Sequence, residues 1–212
     1  MKKGNNTRER LLKETRMLMN KYGQDVTLSF LASEMDVTIG QITYHFANKD
    51  SLILGIAGEY QSVLTELLNS YRNKIQLLEN YGSFLSQLLD LQFEYRCAIR
   101  YIFGASRAQE ALFSQIDQHS VSNLNGIKSR LQAYVDNGDL DPSIIEEDNM
   151  ETFLFQYVCL LNGWPGYYEI YGYDQPYHKF KPTYYRGIVK LFDQYATPSG
   201  KEKIETLYNE IQ

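Results

Sequence analysis

The chain has 212 residues, 43% hydrophobic and 14% aromatic, and its 21 Lys and Arg against 26 Asp and Glu give a formal net charge of −5. That length buries a substantial core and suits a small head with a larger body better than two equal domains. The acidic balance excludes a protein that coats DNA along its whole surface; two distant cysteines exclude a disulfide framework or zinc cluster, and no apolar run approaches roughly 18 residues, so no spanning helix is expected.

Charge is uneven along the chain: residues 1–50 hold eight Lys or Arg against six Asp or Glu, so the acidic excess lies in residues 51–212. Lys2, Lys3, Arg8, Arg10, Lys13 and Arg16 crowd the basic end. As a group they favour DNA phosphates, although a solvated helix face is the simpler reading of any one of them. A first helix is predicted over Thr7–Tyr22, with Leu11, Thr15, Leu18 and Tyr22 on one stripe and Gly23 as its stop.

Residues 26–52, VTLSFLASEMDVTIGQITYHFANKDSL, carry two short apolar sets at helical spacing. Leu28, Leu31, Ala32 and Met35 make the first, and Val37, Ile42 and Phe46 the second. Thr27 and Thr38 each stand one residue before an apolar run, where a hydroxyl accepts from an orphan amide of the first turn. Ala32 is small where the two helices cross, and the link at Asp36 and Val37 is short, so the pattern is a helix-turn-helix whose second helix carries the polar side chains of a DNA reader.

The run from Thr27 through QITYHFANKDSL, with its aromatic close and the Asn48–Lys49 pair, resembles the DNA-binding domain of the TetR family of bacterial transcriptional regulators. The resemblance covers about a quarter of the chain at motif level. It implies an all-α protein: a three-helix DNA-binding head with the helix-turn-helix in residues 1–49, joined by a long helix to a helical ligand-binding and dimerisation body in residues 50–212. Two positions depart from the family pattern. Asp36 stands where Gly is common, in a turn that favours a left-handed backbone that Asp tolerates better than most residues. Thr43 occupies a place often filled by Tyr, so a short hydroxyl replaces a long aromatic arm.

For DNA contact, Thr27, Thr38, Tyr44 and Lys49 are expected at phosphates. Gln41 offers a donor and an acceptor to an adenine edge, Ile39 can touch a thymine methyl, and Gly40 allows close backbone approach. His45 either contacts a phosphate or fills part of the head's surface, and Ser29 faces the groove if the first helix of the motif has the family orientation.

Beyond the motif, Asn48 to Asp50 form a boundary with Asp50 as the expected cap, and Leu52 to Tyr71 keep helical spacing for about five turns. Further helices are predicted over Tyr81–Tyr101, Arg107–Gln118, and Val121–Asp136 with a stop at Asn137–Gly138. Asp141 and Pro142 restart the chain. Met150–Trp164 follows with two apolar stripes, Phe153, Tyr157, Leu160, Trp164 and Leu154, Val158, Leu161; two faces need two partners, one of them expected to be a second subunit. Residues 165–182, rich in Gly, Pro and Tyr, are expected to be irregular before helices over Thr183–Tyr195 and Lys201–Ile211.

The family precedent implies a small-molecule pocket in the body. Phe93, Tyr101, Phe103, Tyr157 and Trp164 are candidates to line it, against the plainer reading that each is core. Cys97 and Cys159 are expected to be buried, reduced thiols. No Gly-rich phosphate loop, nucleophile elbow or metal spacing occurs, so neither enzyme, metal nor cofactor is expected. The expected protein is a cytoplasmic homodimer, independent of membranes, that binds a double-stranded, pseudo-palindromic DNA operator and most often represses. A small-molecule effector releases it.

Overall fold

The computed structural model describes residues 2–104 and 110–211, and for residues 2–5, 103–104 and 110–122 only the course of the backbone. Among these residues the chain is helical and has no strand; an isolated bridge joins Leu140 to Ala196. The helices are α1 (Lys2–Tyr22), α2 (Leu28–Glu34), α3 (Ile39–His45), α4 (Lys49–Tyr71), α5 (Tyr81–Glu94), α6 (Arg96–Gly104), α7 (Glu110–Asp136), α8 (Glu147–Tyr171), α9 (Tyr177–Val189) and α10 (Pro198–Glu210). They fall into two compact units, Met1–Glu66 with Leu91–Leu112 and Leu67–Asp90 with Phe113–Gln212.

In the first unit, Leu11, Leu12 and Met19 of α1, Leu31 of α2, Ile42 of α3 and Leu52, Ile53 and Ile56 of α4 are fully buried. A Cβ at Gly55 of α4 would meet Leu12 at 2.8 Å and Phe46 at 2.9 Å, so these helices approach at a distance that only glycine permits without movement. The cap of α4 is Asn48 rather than the expected Asp50: the Asn48 carboxamide accepts from Ser51 N–H at 2.8 Å, and the Ser51 hydroxyl accepts from Asn48 N–H at 3.1 Å. Asp50 lies within the first turn, beside the orphan amides.

The single helix expected over Tyr81–Tyr101 is two, α5 and α6, broken at Tyr95. The break has a chemical cause in α1. The Asn20 side chain donates to Glu94 C=O at 2.7 Å and accepts from Cys97 N–H at 3.1 Å. Arg96 donates to Phe93 C=O at 2.9 Å and to Asn20 C=O at 2.8 Å, and Gln24 donates to Cys97 C=O at 2.8 Å. Side chains thus take over the bonds that an uninterrupted helix would make to itself.

Of the two helices expected at Arg107–Gln118 and Val121–Asp136, residues 107–109 lie outside the described residues and the rest is one 27-residue helix, α7. No proline interrupts its sequence, and Gly138, at φ +74, ends it as expected. α8 runs through Pro165 to Tyr171, and α9 begins at Tyr177, so most of the segment expected to be irregular is helical. An interior proline costs about 3 kcal/mol. Against that, Trp164 stacks on Tyr177 at 5.8 Å and lies 5.0 Å from Tyr184, Phe180 stacks on Tyr184, and Tyr168 donates to Gln175 C=O at 2.8 Å. Aromatic burial of this extent outweighs the loss of one ladder bond.

α10 is held to the turn after α7. Asp139 is wholly buried, with Lys203 at 2.8 Å, and Thr197 caps α10 while donating to Gly138 C=O at 2.7 Å. A Cβ at Gly200 would lie 1.9 Å from the Asp139 carbonyl oxygen. Gly200→Ala should therefore destabilise the protein by about 1–3 kcal/mol, read as a lower urea midpoint at unchanged slope. Gly58→Ala, in mid-α4 with nothing within 4 Å of the added carbon, should instead stabilise by about 0.5–1 kcal/mol.

Candidate nucleic-acid interface

The helix-turn-helix is built by local chemistry. The Thr27 hydroxyl accepts from Phe30 N–H at 3.1 Å and begins α2. α2 ends where Asp36 takes φ +52, which lets Val37 N–H reach back to Ala32 C=O at 3.0 Å. Asp36 is the described non-glycine residue with a left-handed backbone, as the departure from the family's Gly requires. Thr38 then opens α3 with a reciprocal cap: its hydroxyl accepts from Gln41 N–H at 3.1 Å and its N–H donates to Gln41 Oε1 at 2.8 Å.

The second helix divides cleanly. Ile42 and Phe46 are buried against α2 and α4, while Ile39, Gly40, Gln41, Thr43 and Tyr44 face outward. Tyr44 is 84% exposed and Ile39 46%, so two large side chains of this helix stand in solvent. Thr43 bends its hydroxyl back to Gly40 C=O at 3.4 Å, and the half-buried His45 ring lies edge-on to Tyr44 at 5.0 Å. Ser29 is exposed with its hydroxyl 3.3 Å from that of Thr27. Lys49, half-buried, donates to Gln24 C=O, so one of its ammonium protons ties the start of α4 to the loop after α1.

The basic group at the N-terminus does not act as one. Arg16 is only 8% exposed, and its guanidinium lies 4.1 Å from the Tyr95 ring centre and pairs with Glu94 and Glu59. It is a structural cation, not a phosphate contact. Burial holds the Glu59 carboxyl above its ordinary pKa, against the pull of Arg16. Arg8 lies over the Phe46 ring at 5.0 Å with its residue exposed, and Arg10 and Lys13 are exposed; the side chains of Lys2 and Lys3 lie outside the described residues.

Together, a capped short helix with an exposed polar and aromatic face, a left-handed turn before it and a buried seam behind it make a helix-turn-helix. The whole chain can be laid on solved structures of that kind. A TetR-family transcriptional regulator from Marinobacter aquaeolei VT8 matches with a TM-score of 0.82 over 97% of this chain and 98% of that one, at 20% identity. CprB from S. coelicolor A3(2), a TetR family protein, matches with a TM-score of 0.72 at 19% identity over 98% and 97%. A gamma-butyrolactone receptor described as ArpA-like matches with a TM-score of 0.70 at 17% identity over 98% and 97%. The chain has the TetR-family fold. No family model and no curated protein matches it by sequence.

Within this TetR fold the aromatic candidates separate. Phe93 and Tyr101 belong to the first unit, where Arg96 lies over the Phe93 ring at 4.2 Å and the Tyr101 hydroxyl donates to Asp50 at 2.7 Å. The Phe103 side chain lies outside the described residues. Tyr157 and Trp164 are buried in the second unit in different clusters: Tyr157 stacks on Phe153 and accepts from the Tyr81 hydroxyl at 2.9 Å, whereas Trp164 meets Tyr177 and Tyr184. Tyr157 also lines a cavity with Tyr81, Arg130, Tyr134, Phe153 and Phe192, of about 10 Å³, room for one water.

Cys97 is buried, as expected, and burial pushes its thiol up to about 11; Cys159, expected to be buried, is exposed on α8. Among the described residues no group of three or more His, Cys, Asp or Glu is placed to hold a metal, and no helix is long and apolar enough to cross a membrane.

What sequence reasoning missed is the junction of Arg16, Asn20 and Gln24 with Glu94 to Cys97, whose partners lie more than 70 residues apart. Arg16→Met should cost about 1–3 kcal/mol by leaving two carboxylates without their cation, measured by chemical denaturation. Tyr44→Ala, at an 84% exposed position, should stay within about 0.5 kcal/mol of the parent.

Proposed function

We propose that the protein is a TetR-family transcriptional regulator, most often acting as a repressor, that binds a pseudo-palindromic operator as a homodimer and is released by a small molecule. The observation that carries this reading is α3, which buries Ile42 and Phe46 and leaves Ile39, Gln41 and Tyr44 outside. Residues 1–49 are the DNA-binding part, with Thr27, Ser29, Thr38, Thr43, Tyr44, His45 and Lys49 at the backbone and Ile39, Gly40 and Gln41 at base edges. Such a protein works in the cytoplasm, where its operator is. Two recognition helices related by two-fold symmetry reach successive major grooves roughly 34 Å apart.

Residues 50–212 supply the dimer and the effector site. α8 supports the first role: Phe155, Leu160, Tyr167, Ile170 and Tyr171 are large apolar side chains on its exposed surface, while Phe153, Leu154, Tyr157 and Trp164 point inward. These outward residues, Leu160 apart, lie outside both apolar stripes that periodicity picks out. The second role is supported by the aromatic lining around Tyr157 and by one fold relative being a gamma-butyrolactone receptor. A drug-sized ligand needs about 300–1,000 Å³, so an effector must part these rings. Binding energy available only in the opened form is what lets it shift the regulator between two states.

Selection of genomic fragments on the purified protein at low salt is the direct test; recovery of no enriched fragment ends the regulator reading. With the operator in hand, Tyr44→Ala should weaken binding by about 1–3 kcal/mol and leave the dimer intact. Phe155→Asp combined with Ile170→Asp should yield a folded monomer in sedimentation, and retention of a dimer would rule out α8 as the interface.

A further inference from the structure

We infer that Gln41 reads a guanine, not an adenine, because its carbonyl oxygen is already engaged by the protein. The inference rests on the operator-binding reading above and specifies what one side chain of that surface recognises.

The amide orientation is chemically unambiguous. Thr38 N–H is a donor, so the Gln41 atom 2.8 Å from it must be the oxygen, and the nitrogen is the end left over. The cap is reciprocal, since Gln41 N–H donates to the Thr38 hydroxyl at 3.1 Å, and Gln41 is exposed, so its NH2 is available to a ligand. Gln41 therefore enters the groove as a donor.

That changes which base suits it. An adenine edge presents the N7 acceptor beside the N6 amine, and its two-bond partner is an amide that uses both ends. Here the same oxygen would have to serve Thr38 N–H and adenine N6–H at once, weakening both. A guanine edge presents O6 and N7, two acceptors side by side, and asks only for the NH2. Guanine leaves the cap of α3 untouched.

The experiment is selection from a randomised duplex library with the full-length protein, Gln41→Ala and Gln41→Glu. The base pair whose selectivity disappears in Gln41→Ala identifies the contact. There the parent should favour guanine over adenine by about tenfold or more. Gln41→Glu keeps an oxygen for the cap and turns the free end into an acceptor, so its preference should move to cytosine, whose N4 amine donates. Adenine at that pair, guanine retained by Gln41→Glu, or no pair changed by Gln41→Ala each overturns the inference.

A readout without DNA separates this inference from the regulator reading. Amide exchange at Thr38 should be slowed in the parent and in Gln41→Glu and released in Gln41→Ala. Unprotected Thr38 in the parent removes the premise even if DNA is bound. A protected Thr38 in a protein that selects no duplex overturns the assignment of Gln41 to guanine together with the operator reading.

Discussion

The constraint on which the rest depends is the length of α3. Seven residues cannot hold a helix in water, because the nucleation cost exceeds what so few backbone bonds return. The helix exists only because other groups complete it. Thr38 and Gln41 satisfy its first amides, Ile42 and Phe46 bury its inner face, and the bare backbone at Gly55 lets α4 come close enough to cover Phe46. The same requirement sets the outer face: whatever is not needed to hold α3 is free to meet a ligand, and that remainder is Ile39, Thr43, Tyr44 and the nitrogen of Gln41.

A second set of contacts fixes the frame around that helix. Asn20 in the last turn of α1 and Gln24 in the loop after it engage Glu94 and Cys97 across the break at Tyr95, and Lys49 returns to Gln24 C=O. Tyr101 reaches Asp50 in the first turn of α4. α6 is thus bound at its start to α1 and further along to α4, the two helices that flank the reading motif. Because these are directed hydrogen bonds to backbone groups, a displaced α6 leaves polar groups unpaired and cannot slide by small degrees. Tyr101 serves this frame, which is a different task from lining a cavity.

Much of the motif is legible in the sequence because its determinants are neighbours. Thr27, Thr38 and Asp36 act on residues within a few positions, so pattern and chemistry coincide. Legibility fails where the partner is remote or where packing overrides propensity. Nothing near Tyr95 announces a break, since Asn20 causes it. Arg16 reads as one basic residue among six until Glu94 and Tyr95 fold over it. Pro165 marks irregular chain by every local rule, yet Trp164, Tyr168 and Tyr184 keep α8 helical through it. Phe155 and Ile170, which belong to neither apolar stripe read from the sequence, carry the exposed face of α8.

On the proposed operator-binding reading, the loss of Arg16 from the phosphate-facing set alters the balance of forces at the DNA surface. Residues 1–50 hold eight Lys and Arg. Arg16 is neutralised internally, Lys21 lies over the Tyr22 ring at 4.6 Å, Arg8 rests on Phe46, and Lys49 is partly engaged by Gln24. Counterion release scales with the phosphates that mobile cations neutralise, so on that reading the internal pairing of Arg16 makes the sequence-independent part of binding smaller than the raw charge count implies. Discrimination would then rest, on the same reading, on the groups that α3 does present: an aromatic hydroxyl, a branched aliphatic and a donor amide. A proposed reader built this way gains selectivity from its face rather than from charge alone, which suits a chain whose other 162 residues carry the acidic excess.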